Sequence, residues 1–418
     1  MLRARFLVIW LVTHSTVSLA AGLGPWTLGP PTNNGAAHDG VAGVPGFLYT
    51  ITNGGTVEVA PIHSDGSLSP WSFTSTPDAA RAFGIMVASS SHVYVAGGWT
   101  SGCCRTPDNS QVEVATISPD GSLSAWTFTA SMTIPRANHA GAVGAGRLYM
   151  LANYGGSASV ESAAIQADGS LSPWRTETSM LRARERPAAA VVGNHLYVIG
   201  GLPFTTSVER APIGSDGVLG AWEYVSSTQR ARYELGASAI GSSLFAIGGY
   251  NNTDGSFASV EIADESGGAL GPWSFTSSMT RPRDNSDAAA VGNTVYVVGP
   301  GSDTSTERSM EFASLPGGCT APTSTTLAGD ADGDGVPDAQ EACACLGTAS
   351  GVPVTALGCS LDQACPCAAP IGRSHWMNHG EYVRCVKGAA REVEGRGVLP
   401  VKQGRRIVRT AARSACGL

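Results

Sequence analysis

The chain has 418 residues, 43% of them apolar and 14% charged, and its formal net charge at pH 7 is −7. This length allows one large folded body with a small accessory region, and the negative charge excludes a general attraction to nucleic acid. The 53 glycines favour an all-β protein with many turns over a helical one.

The first twenty residues have the pattern of a secretory signal peptide. Arg3 and Arg5 form a charged start, residues 6–12 form a short apolar core, and residues 18–20 read Ser-Leu-Ala, a small-residue cleavage site. We therefore expect an exported protein, extracellular or in the cell envelope, although an uncleaved anchor is an alternative. No later stretch has the roughly 18 consecutive apolar residues of a membrane span, so we expect none.

A repeated unit fills residues 21–318, marked by a Leu-(Ser/Gly)-(Pro/Ala)-Trp motif. Its six copies are spaced by 45 to 55 residues and end at Trp26, Trp71, Trp126, Trp174, Trp222 and Trp273. An Arg follows ten residues after each of the last five: Arg81, Arg136, Arg184, Arg232 and Arg283. An apolar strand then leads to a glycine pair, at 54–55, 97–98, 155–156, 200–201 and 248–249. A second strand carries a Glu: Glu58, Glu113, Glu161, Glu209, Glu261 and Glu311.

Four short strands per unit, repeated six times, predict a six-bladed β-propeller, because such a sheet buries both faces only between neighbouring sheets. The last unit lacks its own Trp strand, whereas Trp26 precedes the first unit. We therefore expect the N-terminal segment to complete the sixth blade beside Phe312, which also removes an unpaired edge.

These landmarks resemble the kelch family. The resemblance rests on the glycine pair, the acidic strand, the Trp and the Pro-Arg pairs at 135–136 and 282–283. It implies a kelch-like propeller over residues 21–318. Some six-bladed kelch proteins are sugar mutarotases and epimerases, so the resemblance leaves an enzyme open, although we favour a binding module.

The repeated Arg and Glu residues have two interpretations. Their fixed register predicts ion pairs or turn hydrogen bonds within each blade, and the alternative is an Arg-lined funnel for an anionic ligand.

Variable residues follow the Arg register, where each blade enters its innermost strand at one mouth of the channel. They are His38, Phe83, Asn138, His139, Glu185, Arg186, Tyr233, Glu234, Asp284 and Asn285. This mixture predicts a ligand site for a glycan or a protein, and a solvated rim without a ligand is the alternative. Glu185 or Glu234 beside Arg186 could also do acid–base work.

Residues 319–345 contain a linker and a calcium-loop pattern. Calcium prefers six to eight hard oxygen ligands, and the pattern supplies them from Asp330, Asp332, Asp334, Val336, Asp338 and Glu341. The loop, with Pro337 and Cys343, resembles a thrombospondin type 3 repeat. An acidic solvated linker is the alternative to this calcium site.

The last segment, residues 346–418, is rich in cysteine and basic residues, and its pattern predicts two short helices stapled by disulfides. Zinc binding by Cys365, Cys367, His375 and His379 is an alternative. The sequence of this segment resembles a C-terminal module of exported bacterial proteins.

Two adjacent cysteines in the propeller, Cys103 and Cys104, are either bonded to each other or free. We expect a monomer.

Overall fold

The computed structural model describes residues 22–315, apart from 35–37, 53, 80, 101–106, 108 and 300–307, together with the single residue Lys387. The predicted signal peptide, the calcium loop and Cys103–Cys104 lie outside the described residues, as does the tail except for Lys387. Residues 22–315 contain strands and turns and, where described, no helix. The described residues hold no helix that is long and apolar enough to cross a membrane.

Six antiparallel sheets are arranged around a central channel, and we number these blades 1 to 6 along the chain. From the innermost strand outwards, blade 1 contains β2 (His38–Val44), β3 (Phe47–Thr52), β4 (Val57–Pro61) and β5 (Ser72–Phe73). Blade 2 contains β6 (Ile85–Ala88), β7 (His92–Ala96), β8 (Val112–Thr116) and β9 (Thr127–Phe128). Blade 3 contains β10 (Ala140–Gly144), β11 (Arg147–Leu151), β12 (Val160–Ala164) and β13 (Arg175–Thr176).

The other three blades follow the same order. Blade 4 contains β14 (Ala188–Val192), β15 (His195–Ile199), β16 (Val208–Pro212) and β17 (Glu223–Tyr224). Blade 5 contains β18 (Gly236–Ile240), β19 (Ser243–Ile247), β22 (Val260–Ser266) and β24 (Ser274–Phe275), with β23 (Ala269–Leu270) and the hairpin β20 (Tyr250–Asn251) and β21 (Gly255–Ser256). Blade 6 contains β25 (Asp287–Val291), β26 (Thr294–Val298), β27 (Met310–Ser314) and β1 (Thr27–Leu28).

The ring closes through the N-terminal segment, which confirms the expected pairing. Strand β1 adds to β27, with Thr27 opposite Phe312 and Leu28 opposite Glu311. Each innermost strand contacts those of the two neighbouring blades, including β25 and β2 across the joint. The six-bladed architecture predicted from the repeat is therefore confirmed.

The hydrophobic core lies between the blades. Each of six apolar clusters takes residues from two adjacent blades and includes one of the repeated Trp side chains. The Trp indole N–H also donates to a backbone carbonyl of the preceding blade, as Trp174 does to Ala130 at 2.7 Å and Trp26 does to Ser277 at 2.9 Å. A large buried aromatic group with one satisfied donor therefore joins each blade to its neighbour.

The repeated Arg and Glu side chains form a buried ion pair in each of blades 2 to 6. The pairs are Arg81–Glu113, Arg136–Glu161, Arg184–Glu209, Arg232–Glu261 and Arg283–Glu311. In each pair the Glu side chain is fully buried and the Arg at most 1% exposed, so the Arg-lined funnel is wrong and the structural interpretation holds. In blade 1, where Ala36 occupies the Arg register, Glu58 accepts hydrogen bonds from the backbone N–H groups of Asn33 and Asn34 instead.

Two of the predicted glycine pairs are displaced from the strand end. In blade 2, Gly97 and Gly98 have positive φ and lie so close to neighbouring backbone that a Cβ would clash. In blade 3 the equivalent carbonyl, which accepts from the blade's buried Arg, belongs to Ala152, whereas Gly155 and Gly156 form an open turn further along. Blade 1 is similar, because β3 ends at Thr52 before Gly54. In blade 3 the spacing misplaced the pair because Ala152 itself takes the left-handed conformation, with φ of 68°, without being a glycine.

A tyrosine on the second strand ties most blades to the next one. The hydroxyl groups of Tyr49, Tyr94, Tyr149 and Tyr296 each donate at 2.8 Å to a Gly carbonyl in the Asp-Gly turn of the following blade, at Gly121, Gly169, Gly217 and Gly66. Tyr197 donates to Glu265 in the corresponding hairpin. Blade 5 carries Phe245 at this position, and the following blade 6 has no such turn because its outer strand is β1.

Candidate functional site

The candidate site is the mouth of the central channel where the chain enters each innermost strand. Behind the mouth, a channel cavity of about 290 Å³ is lined mainly by Ala, Gly and Val of the innermost strands. A smaller cavity of about 60 Å³ lies at the mouth and shares His139 and Asp287 with the channel lining. Charged and amide side chains therefore gather at the mouth cavity, whereas the channel behind it is lined mainly by small apolar residues.

Five equivalent residues form what we call the mouth ring, each lying two positions after the buried Arg of its blade. All five have left-handed backbone conformation and line the mouth cavity: Phe83 (φ 58°), Asn138 (φ 52°), Arg186 (φ 46°), Glu234 (φ 58°) and Asn285 (φ 49°). Each N–H after the first donates to the carbonyl of the preceding ring member, at 3.1, 2.9, 3.4 and 3.1 Å. This belt holds a conformation that costs roughly 1–3 kcal/mol for a residue other than glycine.

Arg186 contacts several other residues at the mouth. Its guanidinium forms an ion pair with the Glu234 carboxylate, and both side chains are mostly buried. The Arg186 Cζ atom also lies 4.5 Å from the centre of the Phe83 ring and 5.9 Å from that of Tyr233. Charge pairing and stacking therefore fix the guanidinium plane in one orientation.

Several buried polar atoms at the mouth have no hydrogen-bond partner among the described residues. They are Asn138 Oδ1, both ring nitrogens of His139, and Ser286 Oγ. Burial first, and then the positive charges of Arg136 and Arg81, lower the pKa of His139 to about 3, so its ring is neutral at physiological pH. One ring nitrogen is then a donor and the other an acceptor. Unsatisfied buried groups are costly, and their position on the cavity wall lets a ligand satisfy them.

Asp287 lies at the junction of the mouth cavity and the channel. Burial raises the pKa of its carboxyl group to about 6, while the nearby Arg186 cation acts in the opposite direction. The sequence reasoning missed this residue, yet a signal existed. Four residues after the buried Arg, the other described blades have Ile85, Ala140, Ala188 and Gly236. An acid at a strand start that is otherwise apolar marks a position with a role other than packing.

Aromatic side chains flank the mouth ring on two sides. Trp99 packs edge-on against Phe83 and Tyr154, at centroid distances of 5.7 and 5.2 Å. On the other side, Phe204 lies 5.9 Å from Tyr233 and 6.3 Å from Tyr250. Except for the buried Trp99, these rings are partly exposed, so the mouth offers stacking surfaces beside its polar groups.

The structure brings together most of the residues predicted for the mouth. Asn138, His139, Arg186, Glu234 and Asn285 line the cavity with Phe83.

The predicted neighbours of the ring lie around that cavity. Tyr233 contacts Arg186, and Glu185 accepts a hydrogen bond of 2.8 Å from the Asn138 side chain. Asp284 instead accepts from the Ser256 hydroxyl. His38 begins β2, and its side chain lies outside the described part.

The predicted calcium ligands, Asp330, Asp332, Asp334, Val336, Asp338 and Glu341, lie outside the described residues. Within the described part of the chain, no group of three or more His, Cys, Asp and Glu side chains is placed to hold a metal ion.

Comparisons with known proteins support the fold and leave the function open. No protein-family model matches the chain, and no curated protein sequence matches it. Among solved structures the chain is similar to that of YjhT, with a TM-score of 0.53 and 12% sequence identity, over 68% of this chain and 95% of that chain. At this identity the similarity shows the propeller fold alone.

Proposed function

We propose that this chain is an exported binding protein, built on a kelch-type propeller, that holds a polar ligand such as a glycan at the channel mouth. The observation that carries the proposal is the mouth ring. Five positions whose backbone conformation favours glycine instead carry an aromatic ring, two amides, a guanidinium and a carboxylate, and all five face one cavity. Side chains kept at a strained position around a cavity indicate binding rather than packing.

The chemistry of the mouth suits hydroxyl groups. The Arg186 charge is compensated by Glu234, His139 is neutral, and Asn138 and Ser286 offer unpaired oxygen atoms. Apart from the Asp287 carboxyl group, the wall therefore presents donors and acceptors with little net charge, which suits a polyhydroxylated ligand. The flanking aromatic rings can stack on the apolar face of a sugar. A protein ligand that presents similar groups is the other occupant of this class.

The experiment is a glycan-array screen of the exported chain, followed by titration calorimetry with the best ligand. We expect Arg186→Ala to weaken binding at least tenfold, and Glu234→Gln, which keeps the side-chain shape, to weaken it as well. Glu223→Ala on the exposed outer strand of blade 4 is the control and retains affinity. Equal affinity of both mouth variants and the wild type would show that the ligand binds elsewhere.

A carbohydrate-processing enzyme such as a mutarotase or epimerase is the second candidate, and Asp287 favours it. A carboxyl group with a pKa of about 6 beside a cavity can exchange protons near neutral pH. NMR-detected anomer exchange of the bound sugar distinguishes the two functions. An enzyme accelerates the exchange and loses this in Asp287→Asn, whereas a binding protein leaves the exchange at its spontaneous rate.

Calcium belongs to the proposed function as a second, separate site. Five carboxylates within residues 330–341 repel one another unless a cation neutralises them. With calcium bound by Asp330, Asp332, Asp334, Val336, Asp338 and Glu341, this loop would form a stiff stalk between the propeller and its tail.

A further inference from the structure

A mostly apolar groove lies between blades 6 and 1, at the end of the blades opposite the mouth. Its volume is about 490 Å³, and its walls include Pro45, Ile62, His63, Val291 and Thr294 above the ring of Tyr296. The walls come from the first turns of the two blades and from the Asp-Gly turn of blade 1. Asp65 of that turn is not part of the walls, and the described lining residues include no Asp, Glu, Lys or Arg.

The groove exists because one side chain is small. Two residues before the blade-joining tyrosine, blades 1 to 4 carry the large residues Phe47, His92, Arg147 and His195. The first three cover the turn glycine of the next blade so closely that a Cβ on Gly121, Gly169 or Gly217 would lie 2.2–2.3 Å from them. His195 instead lies 2.9 Å from the Glu265 carboxylate in the corresponding hairpin. Blade 6 carries the smaller Thr294 at this position. Its Oγ1 would lie 2.6 Å from a Cβ on Gly66, so this glycine is covered too, but the shorter side chain leaves the groove open beside the turn.

The chain leaves the propeller at the edge of this groove. The Leu315 N–H donates to the Asn293 carbonyl at 2.8 Å, and the Asn293 side chain donates to the Leu315 carbonyl at 3.1 Å. Asn293 is itself part of the groove wall. The chain therefore continues from Leu315 at the edge of this groove.

The segment after Leu315 matches the groove chemically. Residues 316–329 contain no charged side chain, and residues 316–322 read Pro-Gly-Gly-Cys-Thr-Ala-Pro. Seven residues span up to roughly 24 Å when extended. A small, uncharged and proline-containing segment suits a narrow apolar groove without charged walls.

We propose that residues 316–322 dock in the groove between blades 6 and 1 and take the place of the large side chain that blades 1 to 4 carry at this position. The segment then packs beside the exposed residues His63 and Ser64 of the blade 1 turn, at the joint where the ring is closed. The same docking would make the calcium loop and the tail extend from the end of the propeller opposite the mouth. This inference is independent of the ligand at the mouth.

The test is photo-cross-linking in the full chain, with a diazirine amino acid replacing His63 on the groove wall. We expect cross-links within one chain to the peptide containing residues 316–322. The matched control carries the same group in place of Gln166, the equivalent residue of the blade 3 turn, which His92 covers. The control is expected to give at least fivefold less of this product. Cross-links that join isotopically labelled and unlabelled chains, or that reach other segments only, would overturn the proposal.

A second variant tests the cause of the groove. Thr294→His places there the residue type of blades 2 and 4, so it should displace the segment and lower the cross-link yield at least fivefold. A thermal unfolding transition like that of the wild type confirms that the propeller remains folded. An unchanged cross-link yield in this folded variant would contradict the docking of residues 316–322.

Discussion

Arginine has two different roles in this propeller, although the residues concerned are only two positions apart. Arg184 is fully buried, pairs with Glu209 and donates to the backbone carbonyls of Gly200 and Ser207. Arg186 lies at the mouth, partly exposed between aromatic rings. The first type repeats in every described blade from 2 to 6, whereas the second occurs only in blade 4 of the mouth ring. Repetition therefore marks the structural group, and variation marks the candidate functional one.

Removing one partner of a buried ion pair should strongly destabilise the propeller. We expect Arg232→Met to lower the free energy of unfolding by about 3–5 kcal/mol, because Glu261 is left charged and buried without its partner. Urea unfolding measures the change. Arg308→Met, which alters an exposed Arg, is the control and should stay within about 0.5 kcal/mol of the wild type. A small loss in Arg232→Met would mean that Glu261 is satisfied by its backbone donors alone.

Asp287 should make stability depend on pH between about 4 and 6. The pKa of its carboxyl group is raised from 3.8 to about 6, so the folded chain binds this proton more tightly than the unfolded chain. Its contribution is complete below pH 4 and is lost as the pH rises through 6. Asp287→Asn should therefore raise the free energy of unfolding above pH 6 by up to roughly 3 kcal/mol, and should remove this part of the slope.

Urea unfolding at pH 4 and pH 7.5 measures both values for the wild type and the variant. The other carboxylates are common to the two proteins, so the difference between the two curves isolates Asp287. Parallel curves would show that Asp287 titrates normally in the folded chain.

At the scale of the strands, the tyrosine on the second strand of a blade forms a hydrogen bond with a turn of the next blade. Tyr149 of β11 donates to Gly217, which lies between β16 and β17 of blade 4. Phe245 of β19 faces blade 6, where no turn joins the third and fourth strands. Phe245 lacks a hydroxyl group at the junction where the next blade lacks the turn carbonyl that would accept from it. That turn is absent because the outer strand of blade 6 is β1, which comes from the N-terminal segment.

Phe245→Tyr should destabilise the protein by about 1–3 kcal/mol, because the added hydroxyl group is buried without an acceptor. In contrast, Tyr149→Phe removes one hydrogen bond and should cost about 0.5–1.5 kcal/mol. Thermal and urea unfolding of the two variants provide the comparison. A neutral or stabilising effect of Phe245→Tyr would show that an acceptor exists at the junction of blades 5 and 6.

The repeat in the sequence was sufficient to predict the number of blades, their four strands and the pairing of β1 with β27. It succeeded because the repeated Trp and Glu have the same role in all six blades, and the repeated Arg has the same role in blades 2 to 6. The mouth was only partly predicted. Spacing located the mouth ring, but its left-handed backbone, the Arg186–Glu234 pair and the burial of Asp287 depend on contacts between blades, which one repeat does not encode. The glycine pairs of blades 1 and 3 were misplaced because Thr52 and Ala152 occupy the strand end there, where the other blades have glycine.

For the whole molecule, calcium binding is the prediction that concerns the region beyond the propeller. We expect titration calorimetry of the full chain to show one calcium site with a dissociation constant of about 10⁻⁴–10⁻³ M, as for extracellular modules. Asp334→Ala should weaken this binding at least tenfold, because it removes a carboxylate from the centre of the loop. Asp168→Ala in the exposed blade 3 turn is the control. Heat of binding that persists unchanged in Asp334→Ala would place calcium elsewhere.

Blade 6 is built from both ends of the propeller segment, so the propeller ring is closed by strands that are far apart in sequence. The Trp26 indole bonds to Ser277, 251 residues away, and the outer strand of blade 6 is the two-residue strand β1. The pairing of β1 with β27 can therefore form only after β27 has been synthesised. We expect tension applied between Gly22 and Leu315 to separate β1 from β27 before the other blades come apart.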